Sequence, residues 1–143
     1  MRGQIVWIEP VFFLLFGLFH LHRIWGLLDR TGYASLWTGL LRERGLAYYV
    51  LPLALALLCV AGISVLLRRG ARGCPWRWLY LLGGGYVLFD LAAILSGWTP
   101  WLELLEWMFD VSNPAWDLLW GGFSLMGLLS LLFGIKLWIK KSK

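Results

Sequence analysis

Four long apolar runs decide what this chain can fold into. They cover Ile5 to Leu28, Leu46 to Leu67, Trp78 to Trp98 and Trp116 to Ile139. Each is close to the ~20 residues a helix needs to cross a bilayer core. With 60% hydrophobic residues and a mean hydropathy of +0.72, too little polar surface remains to coat a soluble globule of 143 residues. The longest connections, Asp29 to Gly45 and Thr99 to Ala115, have room for a short surface helix each but not for a domain with its own core. The expected fold is all-α: an integral membrane four-helix bundle, a single membrane domain over residues 1–143.

The charges between the runs set an orientation. Arg2, Arg68, Arg69, Arg72, Arg77, Lys136, Lys140, Lys141 and Lys143 fall on one side, nine of the thirteen basic residues. The other side holds Arg30, Arg42 and Arg44, with Arg23 near the end of the first run. The positive-inside rule then places both termini in the cytoplasm, an N-in, C-in topology. Asp29, Glu43, Glu103, Glu106, Asp110 and Asp117 fall outside. The net charge of +5 thus reads as a topology signal and a contact with anionic lipid, not as a nucleic-acid surface. Tryptophans flank the same boundaries: Trp7, Trp76, Trp78 and Trp138 at the inner ends, Trp25, Trp98, Trp116 and Trp120 among those at the outer ends.

A cleaved signal peptide is the competing reading of the first run. Its basic region is Arg2 alone, and the Gly32 to Ala34 triplet follows Asp29 and Arg30 instead of the apolar core, so the run is expected to stay as a span. Cys59 lies inside the second run and Cys74 in a basic loop, with no Cys-x-x-Cys, which leaves no dithiol redox motif.

Both outer connections carry helical spacing. In Pro100 to Asp110, Glu103, Glu106 and Asp110 recur at three and four residues, with Trp101, Leu104, Leu105 and Met108 on the opposite face. A short interfacial helix over about 100–110 is expected, one that floats on headgroups, caps a pocket between the spans, or binds a partner. Tyr33, Leu36, Trp37, Leu40 and Leu41 give the first outer connection the same character. Pro52 is expected to kink the second span near its outer end.

Ionisable groups inside the spans carry the chemistry, because each costs several kcal/mol in hydrocarbon unless it faces the bundle and finds a partner. They are Glu9, His20, His22, Arg23, Asp90 and Asp117. At 1.5 Å per residue, His20 lies about 22 Å into the first span and Asp90 about 18 Å into the third. His20, Arg23, Asp90 and Asp117 are therefore expected to meet in the outer half of the bundle, either as a ligand site or as an ion pair of Arg23 with one of the aspartates. His20 and Arg23 share a helical face, whereas His22 points about 200° away in an unbroken helix. Glu9 and Asp90 are the candidates for a proton-titrating group. Glu9-Pro10 also suits a first helical turn, where an acid complements the dipole.

Metal and haem sites fit poorly. His20 and His22 are the only histidines, they share one span, and their spacing splits them across a helix. No cofactor, metal or catalytic residue is assigned. An apolar pocket walled by Phe16, Phe19, Trp25, Tyr86, Phe89 and Trp120, with His20, Arg23 and Asp90 as anchors, would suit a lipid headgroup, quinone or sterol-like molecule. The layout of four spans, His20 and Asp29 around the outer end of the first span, and a lysine-rich tail resembles the sigma-2 and emopamil-binding group. That group's acid in the second span has no counterpart here, and no residue role is carried over. Small residues at Ala54, Ala61, Gly62, Gly83 to Gly85, Gly127, Ser130 and Gly134 serve either packing within one protomer or contact with a partner.

The reading favoured is a lipid- or hydrophobic-small-molecule-binding accessory or subunit protein. Its partners would be membrane lipid and a larger membrane complex or further copies, and its location a bacterial-type plasma membrane. A membrane enzyme acting on an amphipathic substrate and a proton-coupled small transporter are the alternatives.

Overall fold

The structure, a computed structural model, describes residues 5–142. Arg2 and Lys143, counted above on the basic side, lie outside the described residues. The first span is α1 (Ile8–Leu21) followed by α2 (Ile24–Leu28). Pro10 sits in the first turn of α1, where its missing N–H leaves no bond unmade, and the Glu9 carboxylate accepts from Val6 N at 2.7 Å. Asp29 ends α2 and caps α3 (Arg30–Glu43) by accepting from Gly32 N at 2.9 Å. The second span, α4 (Leu46–Arg69), runs through Pro52 without interruption and stops at Gly70.

The third span covers Pro75–Ser96 and is not uniform. A 3₁₀ turn at Pro75–Arg77 leads into a π-helical turn at Tyr80–Gly84, and only then into α5 (Gly85–Ser96). Gly97 closes α5 in the left-handed region at φ 69°, which glycine adopts without steric cost. Next comes α6 (Thr99–Met108), then a turn in which Asp110 accepts from the backbone and hydroxyl of Ser112 at 2.9 and 2.7 Å. Asn113 donates back to Trp107 O at 2.8 Å and leads into α7 (Trp116–Lys141).

Four helical segments, Ile8–Leu28, Leu46–Arg69, Pro75–Ser96 and Trp116–Lys141, are long and apolar enough to cross a membrane. They match the four runs of the sequence to within a few residues. Both long connections are helical as well, as α3 and α6. Large apolar side chains such as Leu53, Leu57 and Val60 of α4 and Leu125 and Leu129 of α7 stay exposed on the flanks, the surface hydrocarbon would cover.

Helices α1 and α7 form an antiparallel pair whose backbones touch. A Cβ on Gly17 would lie 2.8 Å from Gly127 O, and one on Gly127 2.9 Å from Gly17 O. A Cβ on Gly134 would lie 2.9 Å from Leu14 N. Between them Ser130 Oγ donates to Phe13 O at 2.9 Å. The small-residue ridge of α7 therefore packs the protomer itself, the close approach that glycine permits in membrane helices. The second pair is α4 with the third span, where Gly84 receives Cys59. Phe12 joins the two pairs, with its ring 4.8 Å from that of Tyr80.

At the basic end of the bundle Glu9 is fully buried and Arg77 is 2% exposed. Arg77 Nε and Nη2 donate to the two Glu9 oxygens at 2.8 and 3.1 Å, and Trp76 Nε1 and the Tyr80 hydroxyl add bonds at 3.2 and 3.4 Å. Arg77 also donates to Gly70 O at 3.1 Å, tying down the connection after α4. A forked guanidinium with every carboxylate lone pair met is the arrangement in which a buried ion pair offsets its desolvation.

Two outcomes follow from this packing. Gly17→Ala or Gly127→Ala should destabilise the bundle by about 1–3 kcal/mol or more, because the new methyl meets backbone. Gly121→Ala, with open space around it, should be neutral or slightly stabilising. Thermal unfolding in detergent micelles measures both. Glu9→Gln should cost about 3–5 kcal/mol by removing the negative charge that compensates the buried guanidinium, while the double change Glu9→Met with Arg77→Met should recover most of that loss. Equal unfolding midpoints for the single and double variants would show that the pair is not what holds this end.

Candidate functional site

At the end away from Glu9, the first span breaks where its polar residues begin. Arg23 N, Trp25 N and Gly26 N bond to the carbonyls three residues back, at 3.2, 3.0 and 3.0 Å, so the chain tightens through His22 and Arg23 before resuming as α2. Such a break is tolerated at membrane depth where it lines a cavity. His22, expected to point away from His20, also lines the cavity, because α3 brings Tyr33 and Trp37 against it and the cavity extends to them.

The ring protons of both histidines follow from their partners. His22 Nδ1 contacts Phe19 O, which can only accept, so Nδ1 carries the proton and Nε2 accepts from the Tyr33 hydroxyl at 3.2 Å. His20 Nδ1 lies 2.6 Å from Arg23 Nη1, which can only donate, so the His20 proton is on Nε2. His20 is 2% exposed, and its Nε2 has no hydrogen-bond partner. The Arg23 guanidinium sits over the Phe123 ring at 4.3 Å, with Phe19 and Trp120 at 5.6 and 5.8 Å. These ring faces stabilise its charge, together with the Tyr33 hydroxyl and the field of Asp90.

Asp90 Oδ1 accepts from Trp101 Nε1 at 2.7 Å, which anchors α6 onto α5. Trp101 in turn packs edge-on against Phe89 at 5.1 Å. Asp90 and Arg23 both line the cavity without forming an ion pair with each other. Asp117 does not join them. It pairs with Arg30 at 2.7 Å on the exposed surface, because the first turn of α7 faces α3 there and not the cavity. The expected cluster of four is thus a group of three, with His22 added and Asp117 outside. Glu9 is held by Arg77 about 16 Å away along the first span.

The cavity measures about 130 Å³ and is predominantly apolar. Of the expected wall residues, Phe19, Tyr86 and Trp120 line it, and Phe16, Trp25 and Phe89 do not. The two connecting helices supply much of the rest: Tyr33, Trp37, Leu40 and Leu41 from α3, and Trp101, Leu105 and Met108 from α6. Their apolar spacing was the available signal, and the cavity is where those faces point. Helix α3 is fixed over it by Tyr33, which is 1% exposed, and by packing onto Trp116, whose indole donates to Gly26 O at 2.8 Å. Among the described residues no three of His, Cys, Asp and Glu come together as a metal-ligand set. Comparisons with protein-family models, with curated proteins and with solved structures return no match.

Tyr33 lies outside the four spans, and burial pushes its hydroxyl from an ordinary 10.0 up to about 12, against the opposing pull of Arg23. The folded state therefore keeps a proton that the unfolded chain releases first. This contribution to stability is intact below pH ~10 and lost progressively as the pH rises toward ~12. Tyr33→Phe should flatten stability across that window in a comparison of unfolding midpoints from pH 9 to 12. An unchanged slope would place the Tyr33 hydroxyl in an ordinary, solvated setting.

Proposed function

We propose that this is a membrane protein that binds a lipid or small hydrophobic molecule in the cavity between α1, α3, α4, α5, α6 and α7, as an accessory to other membrane components. The reading includes an N-in, C-in orientation in a bacterial-type plasma membrane, with the cavity in the outer half and α3 and α6 lying at the interface above it. The observation that carries it is an apolar cavity whose anchors, Arg23 and Asp90, face it without pairing with each other. A cavity walled by aromatics with a few convergent polar groups is the usual form of a small-molecule site.

The placement of charge supports the orientation. Arg68, Arg69, Arg72, Lys136, Lys140 and Lys141 are exposed at the end opposite α3 and α6, where the positive-inside rule puts the cytoplasm. The Glu9 to Arg77 pairing favours a structural part for Glu9 over proton exchange, so transport driven by Glu9 draws no support from its setting. Association with a larger complex or with further copies remains part of the proposal. It would use the lipid-facing flanks, since α1 already fills the glycine ridge of α7.

Native mass spectrometry of gently extracted protein tests the reading. Wild type should carry a specific adduct of lipid or small-molecule mass, and Ile94→Trp, which places an indole in the cavity, should lose it while staying folded. The same adducts on both proteins would show that they bind elsewhere, and the cavity would lose its role.

A further inference from the structure

The polar groups around the cavity are unbalanced in kind. On one side of the count are N–H donors. Arg23 has five, of which Nη1 goes to His20 and another reaches the Tyr33 hydroxyl. His20 Nε2 carries a proton, as its tautomer requires, and has no partner. Trp120, 2% exposed, has an indole N–H that is likewise buried and unpartnered. Trp37 Nε1 lies near the Tyr33 hydroxyl but has no hydrogen-bond partner of good geometry. On the other side are the Asp90 carboxylate, one oxygen of which is already taken by Trp101, and the hydroxyls of Tyr33, which gives its proton to His22, and Tyr86. Buried donors of this sort are normally satisfied, and an acceptor that reaches them gains the full bond without competition from water.

The charges, by contrast, are balanced. With both histidines neutral, the cavity holds one guanidinium and one carboxylate, which sum to zero. A carboxylate or phosphate entering beside Asp90 would bring an uncompensated charge into a low-dielectric site. We infer that the ligand is a neutral, largely apolar molecule that presents a carbonyl oxygen to His20, Trp120 and Arg23. This rests on the cavity reading above and names its ligand class. A cavity of about 130 Å³ is close to the size that takes a single six-membered ring, and Phe19, Trp37, Tyr86 and Phe123 offer ring faces to a flat group. Two membrane sources carry such an oxygen: the ring carbonyl of a quinone and the ester carbonyl of a neutral acyl lipid. Neither donor nitrogen is reached by water, so seating the carbonyl involves a turn of each ring toward it.

The test is calorimetric titration of the full-length protein in maltoside micelles with four probes: decylbenzoquinone, dioleoylglycerol, decylbenzene and decanoate. Either the quinone or the glyceride should bind at least about tenfold more tightly than decylbenzene and decanoate, and which of the two does so identifies the source. Trp120→Phe and His20→Phe should each remove about three- to tenfold of that preference while leaving decylbenzene binding unchanged. Asp90→Asn should raise decanoate affinity relative to the carbonyl probes. Decylbenzene binding as tightly as the carbonyl probes would overturn the inference and leave the cavity an apolar site. Decanoate binding best to wild type would overturn the neutral-ligand assignment. If none of the four binds, the cavity reading falls with it.

Discussion

The contact of backbone with backbone between α1 and α7 governs the rest of the bundle. Gly17 and Gly127 face each other with no side chain between them, and Gly134 repeats the arrangement against Leu14. Because hydrocarbon supplies no hydrophobic drive for helices to associate, the close approach has to be held by van der Waals contact and by bonds such as Ser130 to Phe13 O. Once the pair is closed, the first span has a fixed rotation. Phe12 is turned toward α4 and the third span, His20 and Arg23 toward the gap above, and Glu9 toward Arg77 at the far end. One face of α1 thereby meets two different environments, an ion pair at the basic end and a cavity at the other.

Much of this was legible in the sequence, and the exceptions share a cause. Hydropathy alone locates the four helices long and apolar enough to cross a membrane. The spacing of Tyr33 and Trp37, and of Trp101, Leu105 and Met108, announces helices in the two long connections. Regular helical phase along one span, however, does not decide which side chains meet. His22 reaches the cavity because α3 brings Tyr33 and Trp37 against it, so that the cavity extends round the first span. Arg77, read as a loop cation because it precedes the apolar run, folds inward to Glu9, since the 3₁₀ turn begins the span three residues earlier than hydropathy does. Asp117 was placed with the cluster from its depth alone, and depth carries no information about azimuth.

The two helices outside the spans are held to the bundle by few contacts of their own. Helix α3 is tied to α2 and α7 through Tyr33, Trp116 and the Arg30 to Asp117 pair, and α6 is tied to α5 through Trp101. The polar groups that hold these helices overlap with those that face the cavity. Asp90 is both an anchor for α6 and a wall of the site, and Tyr33 both seals α3 and supports His22. A molecule that engages Asp90 or displaces Tyr33 would consequently loosen the covering helix.

The π-helical turn at Tyr80–Gly84 sets the azimuth of everything beyond it in the third span. A wider turn holds one residue more than an α-turn, and each residue advances an α-helix by about 100°. Tyr86, Asp90 and Ile94, which share the cavity-facing stripe of α5, owe that orientation to the extra residue. Removal of a single glycine from the Gly83 to Gly85 run would leave the length and hydropathy of the span almost untouched, yet would swing Asp90 about a quarter-turn out of register, toward lipid or a neighbouring helix.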